Sequence, residues 1–288
     1  MKKKFFIGLL AVILAIAGIV TVLASENALV VQPKGVIAQS ILELIIINLL
    51  VMLTIIIPTY ILLFIIVWKY CLNSNAKYDP EHSFGLPGTL LMWGLPSIVV
   101  IVMALITWKA TYKLNPYKPL DSDVDPLTIQ VVAMDWKWLF IYPKQGIATL
   151  NELHIPERTP IHFNLAADGS PMNSFWIPQL SGQIYSMTGM STQLYLMADA
   201  PGEYRGRAVE INGEGYADMV FWVKSTAKKD FEDWIAEVKK SSDHLTQEKY
   251  NELVKPNIDK SIKLYSDVEQ DLYHKIIHKY MYPAKSVL

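Results

Sequence analysis

Between Gly206 and Met219 the chain reads Gly-Arg-Ala-Val-Glu-Ile-Asn-Gly-Glu-Gly-Tyr-Ala-Asp-Met. Behind the small Ala208 it offers a carboxylate at Glu210, an amide at Asn212, a phenol at Tyr216 and a thioether at Met219. Soft metals are held by thiolates and imidazoles, and the loop has neither. The single cysteine, Cys71, lies far upstream and cannot supply a thiolate pair. A hard cation needs several oxygen ligands, more than Glu210 alone supplies. By itself the stretch is either a metal loop stripped of its ligands or a glycine-containing connection between strands.

Other candidate ligands are scattered. His154 and His162 fall on strand-like runs, and His274 and His278 stand one helical turn apart. That last spacing can bind a metal, but neither pair has a third ligand, so structural or solvated roles are expected. Met172, Met187, Met190, Met197 and Met219 could attract Cu(I), although methionine more often fills cores. No Ser/His/Asp array, nucleotide loop or nucleic-acid surface is present, and no catalytic residue is assigned to this chain.

The 288 residues, 52% of them apolar with a net charge of -1, bound the chain to one or two domains and point to a membrane rather than a polyanion. One cysteine excludes an internal disulfide. Lys2, Lys3 and Lys4 precede an apolar run from Phe5 to Leu23, and the small residues after it suit signal-peptide cleavage following Ala24. Left uncleaved, the run is about long enough to span a bilayer. A transmembrane hairpin is expected within residues 25–114, with helices over about 41–68 and 89–111. Asn48 and Pro58 inside its first helix suit a surface turned toward a neighbouring helix. The three N-terminal lysines place the start in the cytoplasm and everything beyond Thr111 outside, which leaves Cys71 in a reducing compartment.

After a linker over 115–126 the pattern changes to short alternating runs separated by Asp168-Gly169, Pro201-Gly202 and Gly213-Glu214-Gly215. About a hundred such residues suit a β-sandwich or Greek-key barrel; the domain is read over Leu127–Ser225. Residues 226–288 read as a helical arm, with Phe231, Trp234, Ile235 and Val238 at helical spacing. Ser266 to Glu269 reads as a capping box before Leu272, Ile276 and Ile277. The arm's apolar stripe must cover either the β domain or a partner subunit.

Two blocks carry a family resemblance. Met134-Asp135-Trp136-Lys137-Trp138, continuing through Phe140 to Thr149, is similar to the signature of subunit II in bacterial cytochrome bo-type ubiquinol oxidases, and so is Met172-Asn173-Ser174-Phe175 with Ile177 to Leu180 and Gln183 to Tyr185. The similarity runs from Val30 through the arm. It implies a membrane-anchored chain with a two-helix hairpin, a cupredoxin-like β-sandwich and a C-terminal helical arm. In copper-bearing members of the haem-copper superfamily the loop has the form Cys-x-Glu-x-Cys-Gly-x-x-His-x-x-Met. Anchored on Met219, that pattern puts Ala208 and Asn212 at the cysteines, Glu210 at the glutamate and Tyr216 at the histidine, while an earlier histidine falls at Asn173.

The resemblance therefore implies a proton-pumping quinol oxidase subunit without the dinuclear copper. Haems, copper and the quinol site are expected in subunit I, with ubiquinol reaching the complex from the bilayer, and no cofactor is expected in this chain. Trp136 matches the aromatic through which copper-bearing relatives receive electrons; core packing is its expected role here. Relatives admit protons through a glutamate that aligns with Thr89, which leaves Glu81 and His82 as candidates for uptake. Glu210 matches a residue that reaches a magnesium site against subunit I, and is expected to contact that subunit or a cation, or to be an exposed loop carboxylate. Ala24 and Ser25 stand where many relatives have a lipidated cysteine. The implied location is the bacterial inner membrane, with the β domain and C-terminus on the periplasmic side. Two other readings are a copper-bearing cytochrome c oxidase subunit and a membrane-anchored assembly module acting without subunit I.

Overall fold

A computed structural model describes residues 18, 21, 28–71, 85–170 and 172–281, the side chains of Tyr70 and Cys71 excepted. Nearly all of the leader read over residues 1–24, together with Glu81 and His82, lies outside them. The chain divides into a helical unit, Ser40–Asn115, and a unit formed by the rest.

Helix α1 spans Val36–Ile66 and runs on through a π-helical turn, Val67–Cys71; α2 spans Gly85–Lys113. Both start earlier than hydropathy placed them, because the first turns are small or polar and dilute the apolar signal without breaking the helix. The stretches Val36–Lys69 and Gly85–Lys113 run 34 and 29 residues, more than the roughly 20 that cross a bilayer. Outward-facing Ile, Leu and Val along both helices leave lipid as their natural solvent, and the chain is membrane-anchored. Hydroxyls inside the helices are satisfied locally, Thr59 donating to the Ile55 carbonyl at 2.8 Å beside Pro58 and Ser97 to that of Trp93 at 2.7 Å beside Pro96. Such bonds are what lets proline and hydroxyl residues sit in an apolar helix.

The second unit is a two-sheet sandwich. Its first five strands are β1 (Leu127–Met134), β2 (Lys137–Tyr142), β3 (Ile147–Leu150), β4 (Glu152–Pro156) and β5 (Ile161–Ala167). There follow β6 (Met172–Trp176), β7 (Ile184–Met187), β8 (Thr192–Leu196), β9 (Gly202–Ala208) and β10 (Val220–Thr226). Sheet A has the order β12-β3-β2-β1-β5-β8, where β12 is Lys263–Tyr265, and sheet B the order β4-β10-β9-β6-β7. Parallel pairs β1/β5 and β4/β10 among antiparallel neighbours give a cupredoxin-like sandwich. Inward residues alternate as strand pleating demands: Ile129, Val131 and Ala133 of β1 meet Phe221 and Val223 of β10 in one core.

That core closes around rings. Phe175 and Phe221 stack at 5.1 Å, and Trp138 meets both edge-on at 5.3 and 5.5 Å. Gly206 lies beneath Phe221, whose ring occupies the space a β-carbon would take. Gly206→Ala therefore overpacks the centre of the core and should destabilise the β unit by about 2 kcal/mol. Thermal unfolding of the full chain in detergent measures it; an unchanged midpoint would mean that Phe221 repacks freely.

The arm is not purely helical. It comprises α3 (Lys228–Val238), α4 (Gln247–Leu253) and α5 (Leu272–Met281), and it also donates β12 to the edge of sheet A against β3. Two short strands, β11 (His244–Leu245) and β13 (Asp267–Val268), pair with each other. The capping box expected at Ser266 to Glu269 is thus overturned: Asp267 and Val268 are extended, and Ser266 bonds to the Asp243 carbonyl. Helix α5 starts after Asp271, which holds φ at 59°. Local propensity yielded there to strand pairing inside the arm. The arm's apolar stripe covers the β domain, with Tyr250, Leu253, Tyr265, Leu272, Tyr273, Ile276 and Ile277 closing a second core over Val132, Met134, Leu139 and Ile141.

Candidate functional site

Ala208 ends β9 opposite Phe175 of β6, two residues beyond Asn173 on that strand. The loop returns at Met219, whose carbonyl accepts from the Ala208 N–H at 3.0 Å, while the Val209 N–H donates to Ser174 at 3.2 Å. These ladder bonds bring Asn173, Ala208 and Met219 together at the buried root of the loop, each at most 1% exposed. Asn212 folds back over them: its amide donates to the Asn173 side-chain oxygen and lies 3.4 Å from the Met219 sulfur. Four of the aligned positions thus share one spot, occupied by two amides, a methyl group and a thioether.

Trp136 lies against the same loop. It occupies the two-residue turn between β1 and β2, closed by the Met134–Lys137 pair, and holds φ at 62°. A bulky residue in the left-handed region is uncommon and costs on the order of 1 kcal/mol or more. The Cβ that Gly215 lacks would fall on the Trp136 ring, and one on Gly213 would sit 3.1 Å from its Cζ2. Trp136 is half-buried and packs on the main core, while its indole N–H is buried without a partner among the described residues. The two glycines therefore serve close approach to this ring.

The remaining aligned residues take other positions. Tyr216 is half-buried, opens a 3-10 turn over Tyr216–Asp218 and packs against the core. Glu210 is half-buried, with no ion-pair partner among the described residues; Ile211 beside it is 80% exposed. Thr89 belongs to the helical unit, where its hydroxyl donates to the Gly85 carbonyl at 2.9 Å. Among the described residues no three His, Cys, Asp or Glu side chains gather as a metal site. A dinuclear copper group does not fit the loop, because neutral amides, an alanine and a phenol cannot share its charge.

Polar residues that sequence reasoning did not single out tie the arm to the sandwich. Lys137, 1% exposed, donates to the carbonyls of Leu253 and Lys255 at 2.7 and 2.9 Å and to the Asn257 side chain. Burial pulls its ammonium below the usual lysine range. Asn151, in left-handed backbone at φ 57°, accepts from the Trp138 N–H and donates to the carbonyls of Asp259 and Ser261. Lys260 reaches Asp218 in the loop at 2.7 Å. The buried Asp168 accepts from Tyr250 and Lys279, each at 2.7 Å, and from Tyr280 at 2.5 Å. Only a density of tyrosines in the arm hinted at this in the sequence.

A separate cluster sets an acid response. The ring of His154 stacks on Trp234 at 4.0 Å and bonds to Glu152 at 2.7 Å, while Lys224 pairs with the other Glu152 oxygen at 3.0 Å. The His154 bond, opposed by burial and reinforced by Lys224, holds the Glu152 carboxyl below its ordinary 4.5. A carboxylate lowered on folding contributes stability that is complete above the unfolded value and vanishes as pH falls through the folded one. Glu152→Gln should therefore flatten the loss of stability below about pH 4.5, read as melting temperature against pH. An acid limb identical to that of the unaltered chain would rule Glu152 out as its source.

Residues 239–284, the arm that these polar contacts fasten, match the family model described as the COX Aromatic Rich Motif. Over 259 residues the chain is 41% identical to the cytochrome bo(3) ubiquinol oxidase subunit 2 of Pseudomonas putida, covering 90% of this chain and 82% of that one. This chain belongs to the ubiquinol oxidase subunit 2 family. The ubiquinol oxidase subunit 2 of Acetobacter aceti is 40% identical over 254 residues, 87% of this chain and 82% of that one. Among solved structures, the periplasmic domain of subunit II of cytochrome oxidase from Bradyrhizobium japonicum aligns with 43% of this chain and 98% of its own, at a TM-score of 0.40 and 21% identity. Members of the ubiquinol oxidase subunit 2 family are subunits of an oxidoreductase complex, and this chain takes that subunit role.

Proposed function

We propose that this chain assembles with subunit I of a proton-pumping quinol oxidase, covers that subunit's outer face, and carries no dinuclear copper. Electrons come from ubiquinol inside the bilayer, so the subunit needs no water-side port for a soluble donor. The observation that carries this reading is the amide pair Asn173–Asn212 packed beside Ala208 and Met219, where a copper loop would bring thiolates and imidazoles together. The haems, the copper and the quinol site belong to subunit I. The β unit lies on the periplasmic side of the inner membrane, an orientation supported by the lysines at positions 2 to 4. The test is the purified complex in mild detergent: it should oxidise a soluble ubiquinol analogue with oxygen uptake and leave reduced cytochrome c untouched. Oxidation of cytochrome c at a comparable rate would contradict the proposal.

Proton uptake is the finer part of this reading. Thr89 carries no ionisable group, and its hydroxyl is engaged within its own helix. Glu81 or His82 is proposed to take protons from the cytoplasmic side. Replacing both should slow turnover and reduce pumping in vesicles; unchanged pumping would remove them from the path.

A further inference from the structure

The outward face of sheet B is unlike the rest of the surface. The chain has 26 Lys and Arg residues and only three are arginine, at 158, 205 and 207. Two of the three stand on one face of β9, alternating outward while Tyr204, Gly206 and Ala208 point into the sandwich. The strand register sets Arg205 directly opposite Trp222 of β10, and Arg207 directly opposite Trp176 of β6. Trp222 is 47% exposed, and Tyr185, on the adjoining β7, is 40% exposed. Arg205 is exposed and Arg207 half-buried. Neither guanidinium has an ion-pair partner among the described residues, and the nearby Lys224 is already committed to Glu152.

We propose that this Trp–Arg face docks a carboxylate-bearing protein surface on another subunit of the oxidase, an inference that rests on the chain being a subunit of that complex. Trp, Tyr and Arg are the residues that concentrate binding energy at protein interfaces. Arginine's planar fork holds a carboxylate in two parallel bonds, which lysine cannot imitate. A chain that meets almost all its other needs for positive charge with lysine has arginine where that geometry counts. Phosphate headgroups would also match the fork, but the exposed carboxylate of Glu203 alternates with Arg205 and Arg207 on the same side of β9. A uniformly anionic lipid surface is repelled by that carboxylate, whereas a protein surface can set a cation against it and acids against the arginines.

The test uses the whole oxidase. Arg205→Lys and Arg207→Lys each place an amine on the face, and carbodiimide joins an amine to a carboxylate within contact. Mass spectrometry should find a new cross-linked peptide, absent from the unaltered complex, between residue 205 or 207 and an acidic residue of another subunit. Arg205→Glu and Arg207→Glu should loosen this chain from the complex about tenfold in a salt-wash titration, the ratio expected when one bidentate pair is lost. Lys239→Glu, an equal charge reversal at the exposed residue that follows α3, should leave retention unchanged. An unaltered melting temperature for each variant separates interface loss from unfolding. Normal retention of the glutamate variants without a new cross-link overturns the proposal. So does retention that depends on phosphatidylglycerol being restored to a delipidated complex, which would assign the face to lipid. Failure of the unaltered chain to copurify with any haem protein would instead sink the subunit reading itself.

Discussion

Replacing Asp168 with alanine should release the C-terminal arm. Its carboxylate is fully buried and gathers Tyr250 of α4 and Lys279 and Tyr280 at the end of α5, at 2.7, 2.7 and 2.5 Å. Burial pushes the Tyr250 hydroxyl above the usual phenol range, and the adjacent carboxylate adds to that shift. The phenol therefore stays protonated and donates at all physiological pH values. Burial alone would lower Lys279, but its bond to Asp168, the charge of that carboxylate and the interactions with Tyr280 together hold it above its ordinary value. Removing the acceptor strands a buried phenol and frees the ammonium, a loss of about 3 kcal/mol. The second core would open with it, because the contacts of Tyr250, Tyr273 and Ile277 depend on the arm lying flat. Limited proteolysis should cut the variant between residues 239 and 271 while the sandwich survives. Protection equal to that of the unaltered chain would show that apolar packing alone holds the arm.

Restoring four ligands should restore a metal. With Asn173→His, Ala208→Cys, Asn212→Cys and Tyr216→His combined, two thiolates and the imidazole at position 173 converge beside Met219, whose sulfur already lies 3.4 Å from the Asn212 amide, and the second imidazole stands on the adjoining 3-10 turn. The ladder bonds at Ala208, Val209 and Met219 are backbone bonds, so these side-chain changes leave the root of the loop in place. The variant should bind copper and turn strongly coloured on titration with Cu(II), since thiolate ligation gives intense charge transfer. Asn173→His adds the most bulk in a fully packed place, with a cost of about 1 kcal/mol. A colourless, metal-free product with an unchanged melting temperature would mean that the scaffold no longer holds copper geometry.

Much of the fold was legible because each element had its own periodicity. Continuous apolar runs marked the two long helices, and Ile129, Val131 and Ala133 alternated inward as a strand must. What escaped was interaction between distant segments. Nothing local in Lys263–Tyr265 says that it will pair with Ile147–Leu150, and Ser266 to Glu269 satisfied a helix-start pattern that pairing with His244 and Leu245 overrode. The loop was legible in residue type and spacing, since the aligned Asn173 and Asn212 do meet. Trp136's left-handed backbone was not, nor was the close approach of its ring to the two glycines 77 and 79 residues further along. Asp168, Lys137 and Asn151 look like ordinary turn or surface residues in the sequence. Their burial comes from the arm that folds over them.

The most direct test of this account is the low-temperature electron paramagnetic resonance spectrum of the purified complex, recorded with quantitative copper and haem analysis. A preparation that turns over with ubiquinol should show no mixed-valence dinuclear copper signal. That signal at one per haem-bearing complex, lost on Met219 or Asn212 substitution, would contradict it.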